Sequence, residues 1–403
     1  MIKEIRIKNY KSIRKLKMDL GRLTVLIGEN GSGKTNILES VALASATRNN
    51  KLDNEFLSSR GIRVTEPQFM RSAFDRKNTF GEIYINLIGD TEISCECKLQ
   101  NDNKPYSNWE NKTNIGSTIS FGNTLNSNSL LIEDLFNIIK KKPFNKDSFD
   151  MQINQIDGDL NSKKKIVKKI ADTFFEIIST DSRINEFLIY SPENFALRVF
   201  QKEGQIQPLG INGEGLLKLL KVLVIEKDMD RLKIIKEKLK AIDWFDDFEI
   251  PALLSERENS IKIKDKYLDE ELSYFDQKSS NEGFLFLLFY FALFVSDKTP
   301  DFFAIDNIDA SLNPKLCWHL TKEIADLGKK FNKQAILTTH NPAILDGLNL
   351  DDPEQKLFVV FRNKLGHTKI KQIEKPKTPE GQEPVRLSEA FLRGYIGGLP
   401  KGF

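Results

Sequence analysis

Residues 28–35 read GENGSGKT, which places Gly28, Gly33, Lys34 and Thr35 in the pattern G-x-x-x-x-G-K-[ST]. The chemistry lies in the spacing. Glycines at these places let the backbone N–H groups of Asn30, Gly31, Ser32 and Gly33 converge on phosphate oxygens at the positive end of a following helix. Lys34 then reaches the β- and γ-phosphates, and the Thr35 hydroxyl is a ligand for Mg²⁺. The motif follows the β-branched run LTVLI and precedes NILESVALASA, so strand and helix both stand where a phosphate loop needs them.

Three further stretches supply matching groups. FFAID at 302–306 is an apolar strand ending in Asp306, expected beside the phosphate-loop strand in a parallel sheet and aimed at the magnesium water shell. QAILTTHNP at 334–342 is a second apolar strand, ending at His340, a residue suited to hydrogen-bond a γ-phosphate. Between them in function, Ser279, Ser280, Asn281, Glu282 and Gly283 open the strongly apolar run FLFLLFYFALFV; read alone they cap a helix, and that helix start is also a second anion site. After Asp306 comes Asn307, where a hydrolytic site usually holds a carboxylate; an amide cannot take a proton as a base, although it can orient water. Asp309, two residues on, could supply the carboxylate if its loop bends toward the nucleotide.

These groups need a scaffold. Residues 1–28 give two strand-like runs and then the phosphate-loop strand, and 81–99 alternate with period two as antiparallel strands do. Residues 101–128, rich in Asn, Ser, Thr and Gly, read as a long exposed loop. Helical spacing appears over 130–180 and 213–243, strand character returns from 248 to 275, and helix alternates with strand to the end, with a helix expected over 314–330. No fixed-period repeat and no long heptad array is present.

Composition narrows the rest. At 403 residues the chain can bury a large α/β core; 60 basic against 57 acidic residues leave a formal charge of +3, too little to attract a polyanion globally. The nine lysines and four aspartates of 136–170 are the best local patch, with Lys140, Lys141 and Lys142 and then Lys163, Lys164, Lys165, Lys168 and Lys169 able to neutralise duplex DNA phosphates or simply to form a solvated face. Cys95, Cys97 and Cys317 make neither a disulfide framework nor, with three histidines, a zinc set. The longest apolar run has 12 residues, too few to cross a bilayer, and the N-terminus lacks a signal-peptide core, so a cytoplasmic chain with no membrane association is expected.

The order of phosphate loop, Ser/Gly helix start, Asp strand and His strand resembles the ABC-type ATPases of the SMC/RecF class, and most closely the OLD-like ATPases of bacterial DNA repair and anti-phage defence. NYKSI at 9–13 resembles the opening motif of that class, which implies Lys11 or Ser12 near the nucleotide. GENGSGKTNILES is similar to its phosphate-loop helix, including Asn36 after the Thr; LGINGEGLLKLL at 209–220 and TTHNPAILDGL also resemble its segments. ASLNP at 310–314 stands where the family has a Leu-His-Pro element, here with Asn313 for the His. The resemblance implies ATP and Mg²⁺ as cofactors, and two heads paired face to face, each ATP held between one phosphate loop and the other subunit's helix start. A Ser usually stands two residues before the signature Gly, where this chain has Asn281, so either Ser280 is shifted or Asn281 donates. The residue matching Asn307 is commonly Glu. The family's glutamine loop has only Gln68 and Gln100 as candidates here.

The expected fold is α/β: a P-loop NTPase head of ABC type with mixed parallel and antiparallel sheets and an inserted helical subdomain. An N-terminal lobe covers 1–130, a mainly helical insertion 131–245 and a C-terminal lobe 246–403. The expected function is an ATPase that hydrolyses slowly, dimerises or forms a higher even oligomer around ATP, and controls a DNA-directed or defence activity. Alternatives are a non-hydrolysing ATP-bound scaffold and a repair factor that binds DNA directly. Many OLD-like proteins continue into a TOPRIM nuclease domain; the 63 residues after His340 are too few for one, and Asp157–Gly158–Asp159 reads as a solvated turn, so a nuclease or toxin output implies a separate partner chain. In the tail, Ser388 is expected to cap a short helix whose apolar side is Phe391, Leu392 and Tyr395.

Overall fold

The computed structural model describes residues 1–90, 94–113, 183–200, 204–251, 260–272, 274–375 and 385–398. In chain order its strands are β1 (Ile2–Tyr10), β2 (Ile13–Asp19), β3 (Leu23–Ile27), β4 (Ile83–Gly89), β5 (Ser94–Gln100), β6 (Glu110–Asn111) and β7 (Ile189–Tyr190). Then come β8 (Phe245–Glu249), β9 (Lys262–Asp265), β10 (Tyr274–Asp276), β11 (Phe302–Ile305), β12 (Gln334–Thr339), β13 (Gln355–Arg362) and β14 (Thr368–Ile373). The longer helices are α1 (Lys34–Arg48), α2 (Leu216–Ile225), α3 (Met229–Leu239), α4 (Glu282–Val295) and α5 (Pro314–Lys330).

The central sheet runs in the order β14-β13-β3-β12-β11-β7. β13, β3, β12, β11 and β7 are parallel, and β14 returns antiparallel to β13. Its inner strands read as near-continuous apolar runs because both faces are covered. Leu23, Val25 and Ile27 of β3 enter one core with Phe303, Ile305, Ala335 and Leu337, while Leu26, Phe302, Ala304 and Ile336 enter the other. Helix α1 and the antiparallel sheet β2-β1-β4-β5-β6 supply the second core; α2 to α5 and the small sheet β10-β9-β8 supply the first. Every residue of α4 from Phe284 to Val295 is buried, which explains an apolar run with no polar face. Each buried Phe there contributes about 2–3 kcal/mol of transfer free energy.

Several expectations need correction. The strand ending at Asp306 does not lie beside the phosphate-loop strand: β12 is inserted between them. Adjacency in a parallel sheet is set by crossover routes, which local periodicity does not encode. The stretch after residue 100 is not all exposed loop, since Asn101 and Trp109 are buried and β6 pairs with β5. Ser388 does not cap the short helix Leu387–Leu392; it docks the helix instead, through its N–H and Oγ, on Asp346 at 2.9 and 2.6 Å. Ala390, Phe391 and Ile396 form the buried side of that tail, whereas Leu392 and Tyr395 are exposed. The lysine clusters of 140–142 and 163–169 and the 157–159 turn lie outside the described residues. Among the described residues no helix is long and apolar enough to cross a membrane.

Candidate functional site

The phosphate loop leaves β3 at Gly28 and enters α1 at Gly33, whose left-handed φ of 107° and crowded surroundings exclude a side chain: an added Cβ would stand 2.1 Å from Thr368 Oγ1 and 2.8 Å from Ser12 Oγ. No side chain caps α1, so its first N–H groups remain for an anion. Thr368 Oγ1 donates to Ser32 O at 2.8 Å, and Arg362 Nε to Gly31 O at 2.7 Å, so β13 and β14 brace the loop from outside. Lys34 is buried, its Nζ donating to Gly28 O at 2.9 Å and Glu29 O at 3.1 Å. Burial pulls the Lys34 ammonium down to about 8, opposed by the carboxylates of Asp306, Asp309 and Glu29.

Asp306 follows β11 directly and reaches past β12 to the loop: Thr35 Oγ1 donates to Asp306 Oδ2 at 3.0 Å. Its other oxygen accepts from Thr338 Oγ1 in a short bond. Thr338 Oγ1 also accepts from Asn307 N at 2.9 Å, holding that residue at a left-handed φ of 55° that Asn tolerates better than most side chains. The Asn307 side chain is exposed. Asp309 is tied to the end of β12, its Oδ1 accepting from Thr339 Oγ1 at 2.6 Å and from His340 N at 3.4 Å. His340 stands in the field of Lys34: burial and that cation both lower its pKa, while Asp309 and Asp306 oppose the shift. Lys34, Thr35, Asp306, Asp309 and His340 thus gather at the carboxyl ends of β3, β11 and β12, as sites in parallel α/β sheets do. Thr35 and Asp306 set hard oxygen donors side by side, the donor chemistry that Mg²⁺ takes.

Lys11 and Ser12 also lie at the loop, in different roles. Ser12 Oγ is 2.6 Å from Thr368 Oγ1 and accepts from Asn36 Nδ2 at 2.6 Å, beneath Gly33. Lys11, at φ 44°, donates instead to Glu39 Oε2 at 2.5 Å and Arg63 O at 2.8 Å. Glu39 is fully buried on α1 and takes Arg63 Nε at 2.7 Å as well, so a charge without solvent has two cationic partners. Arg63 reaches Asn36 Oδ1 at 2.9 Å. Beside this network an open cleft of about 460 Å³ is lined by Lys11, Asn36, Arg63, Arg71, Arg362 and the rings of Phe69 and Phe74. Asn30 and Gly31 are exposed at the loop crest. Gln68 donates to Glu66 Oε2 and Gln100 to Phe80 O.

Among the described residues no hydrogen bond joins residues 280–283 to the phosphate loop of the same subunit. Asn281 is the cap of α4, accepting from Phe284 N at 2.9 Å, and Ser280 is buried. Asn313 caps α5 in the same way, accepting from Leu316 N at 2.9 Å ahead of Pro314. Sequence reasoning missed Glu39, Arg63, Thr338, Thr339, Arg362 and Thr368. The two threonines were in view, directly before His340, and two hydroxyls at the end of a buried strand were the available signal.

The family model AAA_15, described as AAA ATPase domain, matches residues 1–345, and the chain belongs to that family. It is a P-loop ATPase domain. The SMC head bound to the C-winged helix domain of ScpA has 14% identity and a TM-score of 0.50, covering 93% of this chain and 98% of that one, a likeness of fold. A Pyrococcus furiosus Smc head with an extended coiled coil, bound to the C-terminal domain of ScpA, has 14% identity and a TM-score of 0.47 over 93% and 96% of the two chains. An OLD nuclease of Thermus scotoductus (strain ATCC 700910 / SA-01) is 28% identical over 86 residues, 19% of this chain and 16% of that protein, so the match spans a small part of the relative.

Proposed function

We propose that the chain binds ATP with Mg²⁺, pairs with a second copy around the nucleotide and hydrolyses it slowly. The observation that carries this is the closure of Thr35 on Asp306 at 3.0 Å with Lys34 and His340 alongside. Thr35 and Asp306 would hold the cation, which neutralises charge on the β- and γ-phosphate oxygens. Lys34 turns from the carbonyls of Gly28 and Glu29 toward the phosphates, and His340 meets the γ-phosphate end. The cleft with Phe69, Phe74 and Arg362 accepts the base by stacking. The helix start at Ser280, Asn281 and Gly283 faces a second copy, giving a homodimer or a higher even oligomer.

Asn307 sets the rate. Its amide orients water but accepts no proton, and Asp309 is the nearest carboxylate on the same loop. The same residue favours a second reading, a scaffold that holds ATP without cleaving it. Downstream action through a separate chain is supported by the ScpA domains on the SMC heads; an effector such as a nuclease or toxin, an anti-phage role, duplex DNA on the 136–170 lysines, a cytoplasmic location and the three-part division at 130 and 245 are carried as parts of this reading. Incubation with Mg-ATP, read by calorimetric titration, light scattering and phosphate release, tests it: dimers with slow release support the first reading, dimers with no release the second, and no nucleotide binding defeats both.

A further inference from the structure

Glu282, the first residue of α4, sits in a continuous chain of side-chain hydrogen bonds. Its Oε1 accepts from Asn194 Nδ2 at 2.5 Å and its Oε2 from Ser311 Oγ at 2.8 Å. Asn194 in turn accepts from Arg198 Nε at 2.9 Å, and Arg198 donates to three backbone carbonyls, at 2.5–2.7 Å, in the turn that enters α4. Ser311 belongs to the loop that carries Asn307 and Asp309, and it holds a left-handed φ of 58° that a serine adopts only under constraint. The place of a Gly283 side chain would be 3.4 Å from Ser311 O, so the helix start and the loop are also in close contact. The loop is therefore fixed at two points, at Asp309 by the end of β12 and at Ser311 by α4.

We propose that Glu282 is a positioning residue: its carboxylate joins the start of α4 to the Asp309 loop, so that engagement of one subunit's helix start sets the loop beside that subunit's own nucleotide. The inference rests on the ATPase reading given above. Charge-assisted bonds to one carboxylate suit the task, since they are short and directional.

The test compares wild type with Glu282→Ala, Ser311→Ala, the double variant and Glu282→Gln, measuring ATP affinity by calorimetry, melting temperature, turnover with Mg-ATP and ATP-driven dimerisation. Glu282→Ala and Ser311→Ala should lower turnover about tenfold with ATP affinity within about twofold. The double variant should be no worse than either single, as for two ends of one link. Glu282→Gln should stay within about threefold of wild type, because its amide accepts from Asn194 and donates to Ser311. Wild-type turnover in Glu282→Ala, losses that add in the double variant, or a parallel fall in ATP affinity and melting temperature would overturn the proposal. If wild type binds ATP but releases no phosphate, dimerisation is read in the same order. If it binds no ATP, the ATPase reading itself fails and takes this inference with it.

Discussion

Thr35 Oγ1 stands 3.0 Å from Asp306 Oδ2 across 271 positions of chain. The contact spans β12, because Asp306 lies past the end of β11 and Thr338 of β12 holds its other oxygen. On the proposed role, replacing Asp306 by Ala removes a cation ligand and leaves the phosphate loop's own residues unchanged. Turnover with Mg-ATP should drop by about a hundredfold, while ATP binding in EDTA should match wild type. Equal turnover in the variant would refute the assignment of Asp306.

Asn307 offers the sharpest test of the proposed slow hydrolysis. Asn307→Glu places a carboxylate next to Asp306, and turnover should rise about a hundredfold. The left-handed backbone makes the substitution cost about 1 kcal/mol of stability, measurable by urea denaturation. Asp309→Ala should lower the wild-type rate by about tenfold, since that carboxylate is the remaining one on the loop. Brisk wild-type hydrolysis that survives Asp309→Ala would show that neither residue limits the rate.

Much of this site was legible because its pieces are local. GENGSGKT carries its own strand and helix, the polar cluster with Asn281 caps an apolar run, and α5 spans the residues its periodicity assigns. What was not legible is non-local. No spacing says that β12 separates β3 from β11, that a two-residue strand at Ile189–Tyr190 closes the sheet edge, or that Thr368 reaches Ser32. Lys11 shows the difference well: its place beside the loop follows from the opening motif, but its partner is Glu39, buried on the next helix.

Lys34 gives a pH dependence with a definite sign. Burial holds its pKa at about 8 in the free protein. A bound triphosphate favours the charged form, so ATP affinity should be level below about pH 8 and weaken above it, by up to about tenfold per pH unit. The free protein behaves oppositely: between about 8 and the ordinary lysine value the unfolded chain binds more protons, so this group's contribution to stability rises with pH. Calorimetric titration of ATP from pH 7 to 9.5 checks the first statement, and a flat affinity across pH 8 to 9.5 would contradict it.

Gln334 joins the two large sheets and should be costly to lose. At the start of β12, fully buried, its Oε1 accepts from Ile2 N at 2.9 Å and its Nε2 donates to Ile2 O at 2.7 Å and Gly21 O at 2.8 Å. Gln334→Met keeps nearly the same volume but strands one N–H and two carbonyls without water. A loss of about 3 kcal/mol follows from three unpaired groups, far more than a change of shape alone would give. With an m-value of about 3 kcal/mol/M or more for a chain of this length, the urea midpoint should fall by roughly 0.5–1 M. Because Gln334 lies at the end of β12 away from Thr339, ATP affinity of the folded variant should remain that of wild type, and a midpoint shift below about 0.3 M would mean that the clasp does not hold the sheets together.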